Sequence, residues 1–97
     1  MQPYQLNQQA DSPEIVVDNL KRFLRRRGSM KDAAAQLGIA PSTLSTFFKK
    51  AETGYFSRGM AARLASTFDL NGDYLNTGNG SLMEFIAPRN VMANYRR

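Results

Sequence analysis

Apolar residues in the first third of the chain recur at the spacing of an α-helix. The segment Val16–Leu24 places its valines, leucines and phenylalanine on one side of a helical wheel. Immediately before it, Ser12–Glu14 combines a capping serine, a proline suited to the first helical turn and an acidic residue near the positive end of the helix dipole. These signals predict a helix that ends at about Arg27, where Gly28 follows.

The same kinds of signal predict four more helices and divide the chain into three segments. They predict helices over about 30–37, from Pro41 to Lys50 or Ala51, from the capping residue Ser57 to about 68, and from the capping residue Asn71 to the breaker cluster 77–81. Ser29 and Asp32 have the spacing of a capping box at the start of the second helix. The chain is therefore predicted to consist of a mobile N-terminal tail over 1–12, one all-α domain over 13–81 and a C-terminal extension over 82–97.

The boundary between the second and third predicted helices has the pattern of a helix-turn-helix. Two short helices that cross through a tight turn need a small residue at their contact, and Ala34 supplies one. The turn also needs a residue that adopts positive φ without steric cost, and Gly38 lies four residues later. Ile39, Leu44 and Phe47 then provide apolar side chains for the turn and for the inner face of the third helix. Such a pair typically presents its second helix to the major groove of DNA.

Composition narrows the chemistry that this chain can perform. Its 97 residues contain no cysteine and no histidine, which excludes disulfides and thiolate metal sites and removes the commonest metal ligand and acid–base catalyst. We therefore expect no metal and no cofactor. No apolar run is long enough to span a membrane, and the first residues lack the pattern of a signal peptide. With a formal net charge of +5, the chain is expected to be a cytoplasmic protein with a polyanionic partner.

Two blocks of the sequence resemble the Cro and phage-repressor family of helix-turn-helix DNA-binding domains. The first is AAAQLGIAPSTLSTF, and the second, at the separation typical of the family, is SRGMAARLASTFDLNGDYLNTGNG. The resemblance covers about Glu14–Ser81 and implies a compact, five-helix, lambda-repressor-like domain whose third helix enters the major groove. The chain departs from the family at Met30, where a phosphate-binding glutamine is common, and at Asp69, where glycine is common.

The resemblance and the helical wheel together assign roles to individual residues. Five residues on the outer side of the third helix are candidates for base contacts: Pro41, Ser42, Ser45, Thr46 and Lys49. Candidates for phosphate contacts lie around the turn and on the flanking helices: Arg22, Arg26, Lys31, Thr43, Lys50, Tyr55, Ser57 and Arg58. Apolar residues of the fifth helix and the extension are candidates for dimerisation: Tyr74, Leu75, Leu82, Phe85 and Ile86. Arg63 is expected on a solvent-exposed face.

Because the outer side of the third helix offers no Gln, Asn or Arg for a bidentate base contact, we expect modest direct readout of the DNA sequence, with Lys49 as the candidate for guanine.

The leading functional hypothesis is a sequence-specific transcription regulator, a repressor, that binds double-stranded DNA as a homodimer on a two-fold symmetric site. The chain would then be encoded by a bacterium or a phage and be associated with the nucleoid. The alternative is a protein-interaction module on the same scaffold, such as an antitoxin that neutralises a partner protein. The Gln/Asn-rich tail and 82–87, either a short strand or an apolar segment that packs on the domain, would serve that role. An enzyme is not expected, because the eight carboxylates form no paired arrangement and no glycine-rich phosphate loop follows a strand.

Overall fold

Residues 10–83, the part of the chain that the computed structural model describes, form five helices. Their bounds are α1 Pro13–Arg27, α2 Met30–Leu37, α3 Pro41–Ala51, α4 Arg58–Phe68 and α5 Gly72–Thr77. The prediction of an all-α fold is confirmed, and each helix lies where its start and stop signals predict it. No helix within 10–83 combines the length and the apolar character needed to cross a bilayer.

Local capping signals determine where α2 and α3 begin. The Ser29 N–H donates to the Asp32 carboxylate at 3.1 Å and the Asp32 N–H donates to Ser29 Oγ at 3.1 Å, so the predicted capping box is present. Hydrogen bonding from the Ser29 backbone, and then from its side chain, lowers the pKa of the Asp32 carboxyl group. α3 has no side-chain cap because Ala40 occupies that position, and it begins instead at Pro41, whose fixed φ suits a first helical turn.

The core is formed by one apolar side of each helix, around the fully buried Leu20, Leu64 and Leu75. α1 contacts α2, α3 and α5, while α4 contacts α2 and α5. The rings of Phe48 and Phe56 meet edge to face with their centroids 5.7 Å apart, a favourable geometry for aromatic pairs. This arrangement leaves α3 at the edge of the domain, with one side packed and the other in solvent.

Asp11 attaches the segment before α1 to three other parts of the domain. Its N–H donates to the Gly78 carbonyl oxygen at 3.0 Å, and its carboxylate accepts a hydrogen bond from the Tyr74 hydroxyl at 2.6 Å. Its carbonyl oxygen accepts a hydrogen bond from the Tyr55 hydroxyl at 2.7 Å. The Asn19 side chain in turn donates to the Tyr74 hydroxyl at 2.8 Å. We call these five residues the N-terminal clasp.

The folded domain extends beyond both of its predicted ends. The mobile tail predicted over 1–12 is wrong for Asp11, which the N-terminal clasp holds in place. At the other end, the Asn71 N–H donates to the Leu82 carbonyl oxygen at 2.8 Å, and Leu82 packs against the core. The domain therefore includes Leu82, whereas 84–97 lie outside the described residues.

Two of the predicted dimer contacts are core residues. Tyr74 and Leu75 are only 1% and 0% exposed, because α5 is covered by α1 and α4. A side chain without exposed surface cannot contact a second copy of the chain, so this assignment is wrong for both residues. Leu82 is half-buried against the same core, and the predicted contacts Phe85 and Ile86 lie outside the described residues.

Gly78→Ala is expected to destabilise the domain by about 1–3 kcal/mol. Gly78 has a φ of 83°, and a Cβ added there would overlap the Asp11 carbonyl oxygen and lie 2.9 Å from Tyr55 Cε1. Gly54→Ala is the matched control, because a Cβ added there meets no atom within 4 Å and the φ of Gly54 is not positive. Denaturant-induced unfolding measures both variants, and equal stabilities would contradict the close packing at Gly78.

The free energy of unfolding is expected to fall as the pH rises from 10 to about 12, because Tyr74 stays neutral in the folded chain over that range. Burial, followed by the hydrogen bond to Asp11, raises the pKa of Tyr74 from 10.0 to about 12. The unfolded chain ionises Tyr74 near pH 10, so the stabilisation is complete below pH 10 and is lost as the pH approaches the folded-state value. The ultraviolet absorbance of tyrosinate, compared with that of a Tyr74→Phe variant, measures this late ionisation. Ionisation of all the tyrosines together near pH 10 would contradict it.

Candidate nucleic-acid interface

The turn between α2 and α3 is built by Gly38, which has a φ of 76° and a ψ of 28°. The Ile39 N–H donates to the Ala34 carbonyl oxygen at 3.0 Å, and the Gly38 N–H donates to the Ala35 carbonyl oxygen at 3.0 Å. These two bonds are the pair that defines a Schellman motif. Ala34 is fully buried, so the small residue and the glycine predicted for the turn occupy the positions that the turn requires.

α3 packs one side against the domain and exposes the other. Leu44 and Phe48 are 1% and 3% exposed, and Ile39 and Phe47 are half-buried. The residues predicted to contact bases are all exposed, and we call them the outer face of α3: Pro41, Ser42, Ser45, Thr46 and Lys49. A single helix therefore brings these five side chains together on one solvent-facing surface.

A hydrogen bond within α3 restricts what Thr46 can offer to a ligand. The Thr46 hydroxyl donates to the Ser42 carbonyl oxygen at 3.1 Å, a common arrangement for threonine inside a helix. Because a hydroxyl has one proton, Thr46 is left with an acceptor oxygen and a methyl group. Ser42, Ser45 and Lys49 are then the exposed side chains of the outer face of α3 that can donate hydrogen bonds.

A cleft of about 320 Å³ lies between α1 and α3, beside their contact. We call it the α1–α3 cleft, and its lining residues are Lys21, Arg25, Met30, Pro41, Leu44, Ser45, Phe48, Lys49 and Glu52. Lys21 Nζ lies 3.6 Å from the Glu52 carboxylate and 5.9 Å from the centroid of the Phe48 ring. Lys21 and Arg25 were not among the predicted contact residues, although their i,i+4 spacing puts both on the same side of α1.

A second cleft, of about 340 Å³, lies on the opposite flank of α3, between α3 and α4. Lys50 and Ser57 line it, and both are exposed. Ser57 Oγ accepts a hydrogen bond from the Met60 N–H at 3.2 Å, so the hydroxyl caps α4 and keeps its own proton. Basic and hydroxyl side chains thus flank α3 on both sides, with Lys49 towards α1 and Lys50 towards α4.

The loop that follows α3 is fixed by α5 and by the segment before α1. The Phe56 N–H donates to the Leu75 carbonyl oxygen at 3.1 Å, and the Asn76 side chain donates to the Phe56 carbonyl oxygen at 2.8 Å. Because the Tyr55 hydroxyl donates its proton to Asp11, the prediction that Tyr55 donates to a phosphate is wrong in this conformation. Tyr55 has instead a structural role, and nothing in the local sequence marks its distant partner.

Among the residues predicted to contact phosphate, some already bind other residues of the domain and others are exposed. Arg22 Nε lies 3.1 Å from the carboxylate of Asp18, its i,i+4 neighbour on α1. The remaining candidates on the helices are exposed: Arg26, Lys31, Thr43, Lys50 and Arg58. Arg27, which was not a candidate, lies 5.4 Å from the centroid of the Phe23 ring and therefore covers apolar surface.

Arg63 has a partner that its sequence position does not reveal. Its guanidinium donates to the carbonyl oxygen of Leu37, the last residue of α2. Arg63 is exposed, as predicted, and its bond to Leu37 is an additional contact that the sequence does not reveal. This bond ties α4 to the end of α2 directly before the turn at Gly38, and it satisfies one of the carbonyl groups that a helix C-terminus leaves unpaired.

Comparison of the chain with protein-family models, with curated proteins and with solved structures finds no match.

Arg63→Ala is expected to lower the free energy of unfolding by about 1 kcal/mol, because it leaves the Leu37 carbonyl group without its donor. Arg58→Ala is the matched control: it removes the same charge from the first turn of the same helix, where a cation is unfavourable, so stability should be unchanged or slightly higher. Urea denaturation of the two variants checks this. A loss of stability in Arg58→Ala but not in Arg63→Ala would contradict the assigned contact.

Proposed function

We propose that this chain binds double-stranded DNA by inserting α3 into the major groove, as a transcription regulator similar to the Cro and phage-repressor domains. The observation that carries the proposal is the outer face of α3, a row of exposed and mostly polar side chains on a helix that follows a Schellman turn. An α-helix fits the major groove, where the edges of the base pairs present distinct donors and acceptors. The proposal assigns the chain a binding role and no catalytic one.

Phosphate groups on either side of the groove are proposed to bind the flanks of α3. Lys50 and Arg58 are exposed near the start of α4, whose first N–H groups and dipole favour an anion. Lys31 lies in the first turn of α2, where the helix N-terminus likewise favours an anion. Such contacts orient a protein on DNA without reading its sequence.

Sequence preference is proposed to come only partly from side chain–base contacts. Lys49 can address the O6 and N7 acceptors of guanine, and Ser42 can form a single hydrogen bond. Thr46 offers a methyl group for thymine and an acceptor oxygen, because its proton is held by the helix. A bidentate contact supplies about 1–3 kcal/mol of discrimination, and single hydroxyl bonds supply less. The remainder is proposed to come from the shape and stiffness of DNA at base pairs that the protein does not touch.

A homodimer on a two-fold symmetric site remains part of the proposal, with half-sites about 34 Å apart. Among the described residues the exposed large apolar side chains are Ile15 and Met83, which are 48% and 49% exposed. Met83 continues directly from Leu82, which packs on the domain. The proposed dimer contact therefore begins at Met83 rather than in α5.

DNA binding is expected to weaken steeply with salt, and Lys50→Gln is expected to reduce the slope of log affinity against log salt by about 0.9. The reason is that each lysine on a phosphate releases condensed counterions when it binds. Arg27→Gln is the control, because the Arg27 side chain lies over the Phe23 and Phe68 rings and should leave the slope unchanged.

The measurement is selection of sequences from a random duplex pool, followed by titrations of the selected site and of random DNA at several salt concentrations. Lys50→Gln should weaken both duplexes alike. Substitutions at central, untouched base pairs of the selected site should change the affinity about as much as substitutions at contacted ones. A failure to enrich any sequence, together with a flat salt response, would overturn the proposed function.

A further inference from the structure

The bottom of the α1–α3 cleft is apolar, and its walls carry more cationic than acidic side chains. Leu44 and Phe48 form the bottom of the cleft, while Met30 is half-buried and Pro41 is exposed above them. The volume of about 320 Å³ lies at the lower end of the range of about 300–1,000 Å³ that is typical of ligand sites. The cleft is therefore large enough to receive an apolar group from outside the domain.

Three cationic side chains line the cleft, and only one of them is paired with an acidic residue of the described part of the chain. Lys21 is paired with Glu52 and lies over the Phe48 ring, so its charge is already compensated. Arg25 on α1 and Lys49 on α3 are exposed on opposite walls, and neither forms an ion pair with an acidic residue of the part of the chain from 10 to 83. Glu52 is thus the single acidic group in the lining, and it belongs to Lys21.

We propose that the α1–α3 cleft is the docking site of an acidic segment of a protein partner. The segment would place an apolar side chain on Met30 and Pro41 and its carboxylates on Arg25 and Lys49. Charge complementarity favours this occupant. An uncharged apolar segment would leave Arg25 and Lys49 unpaired, and a phosphate group alone would leave the apolar floor of the cleft uncovered. A segment with carboxylates on either side of an apolar side chain would pair both cations and cover the apolar floor.

Docking in this cleft has a consequence that rests on the function proposed above. Pro41, Ser45 and Lys49 line the cleft and also belong to the outer face of α3. A segment seated in the cleft therefore occupies Lys49 and stands beside the groove-reading surface. The partner and DNA are expected to compete for α3, so an acidic protein would act as an inhibitor of DNA binding.

The test is an NMR titration of the isotope-labelled full chain with short synthetic peptides. The probe peptide has a phenylalanine flanked by glutamates, and two comparison peptides replace either the phenylalanine by alanine or the glutamates by lysine. Inorganic tripolyphosphate serves as a probe of charge alone. We expect amide and methyl shifts confined to the lining of the cleft, and weaker binding of both comparison peptides. Shifts elsewhere, no binding, or equal binding of the alanine peptide or of tripolyphosphate at the cleft would overturn the proposal.

A pair of variants on one helix then tests the assignment of charge. Arg25→Ala should weaken the probe peptide about fivefold, the effect of losing one exposed ion pair, whereas Arg26→Ala should leave its affinity unchanged. Arg26 is the matched control because it has the same charge and lies in the same last turn of α1 but does not line the cleft. Equal effects of the two variants would mean non-specific attraction and would overturn the docking site.

Competition is measured separately, by adding the probe peptide to the complex of the chain with its selected duplex. Displacement of the duplex by the probe peptide, and not by the lysine peptide, is expected. Binding of the peptide at the cleft without displacement would overturn the competition and leave the docking site established. Because the peptide titration needs no DNA, a failure of the proposed DNA-binding function is distinguishable from a failure of this site.

Discussion

The direction of α3 depends on the left-handed turn at Gly38, because this one residue determines how the chain leaves α2. A Cβ added there would meet no atom within 4 Å, so the constraint is conformational rather than steric. For residues with a side chain the left-handed region costs about 1–2 kcal/mol, which is a large fraction of the free energy of unfolding of a small domain. The buried Ala34 lets α2 and α3 pack closely at the angle that this turn creates, and the bond from Arg63 to Leu37 ties the end of α2 to α4.

Electrostatic repulsion is the second constraint on this small basic domain. The sequence places like charges at i,i+4 on α1, an arrangement that destabilises isolated helices. The two pairs are Lys21/Arg25 and Arg22/Arg26, and the repulsion in each is reduced because one member has an acidic partner. Lys21 is paired with Glu52, and Arg22 is paired with Asp18. Arg25 and Arg26 at the end of α1, like the cations beside α3, remain exposed and available to an external anion.

The helix bounds could be predicted from the sequence because their signals are local. The capping box at Ser29 and the glycine at 38 act over three or four residues, and the structure has both. The exposed side of α3 follows from the same periodicity, since an eleven-residue helix defines its faces clearly. What these residues bind is a separate question, and it stays a proposal.

The errors of prediction have a common physical cause, which is the tertiary contact between residues far apart in the chain. Tyr74 lies on a helix of six residues, too short for periodicity to define a buried side, and its partners are Asp11 and Asn19. Tyr55 and Arg63 likewise look like free surface donors until the fold brings a distant carbonyl group to each of them. Polar side chains of this kind can be assigned only when the packing of the helices is known.

The N-terminal clasp has a mechanical consequence for the domain. A pulling force applied ahead of Ala10 would reach Asp11 before it reached α1, because Asp11 is bonded to α5, to Gly78 and to the loop after α3. The load would pass through the Tyr55 hydroxyl directly to the loop at the end of α3, without travelling through the length of α1. The beginning of the chain and the end of its most exposed helix are thus mechanically adjacent, although forty-four positions separate Asp11 from Tyr55.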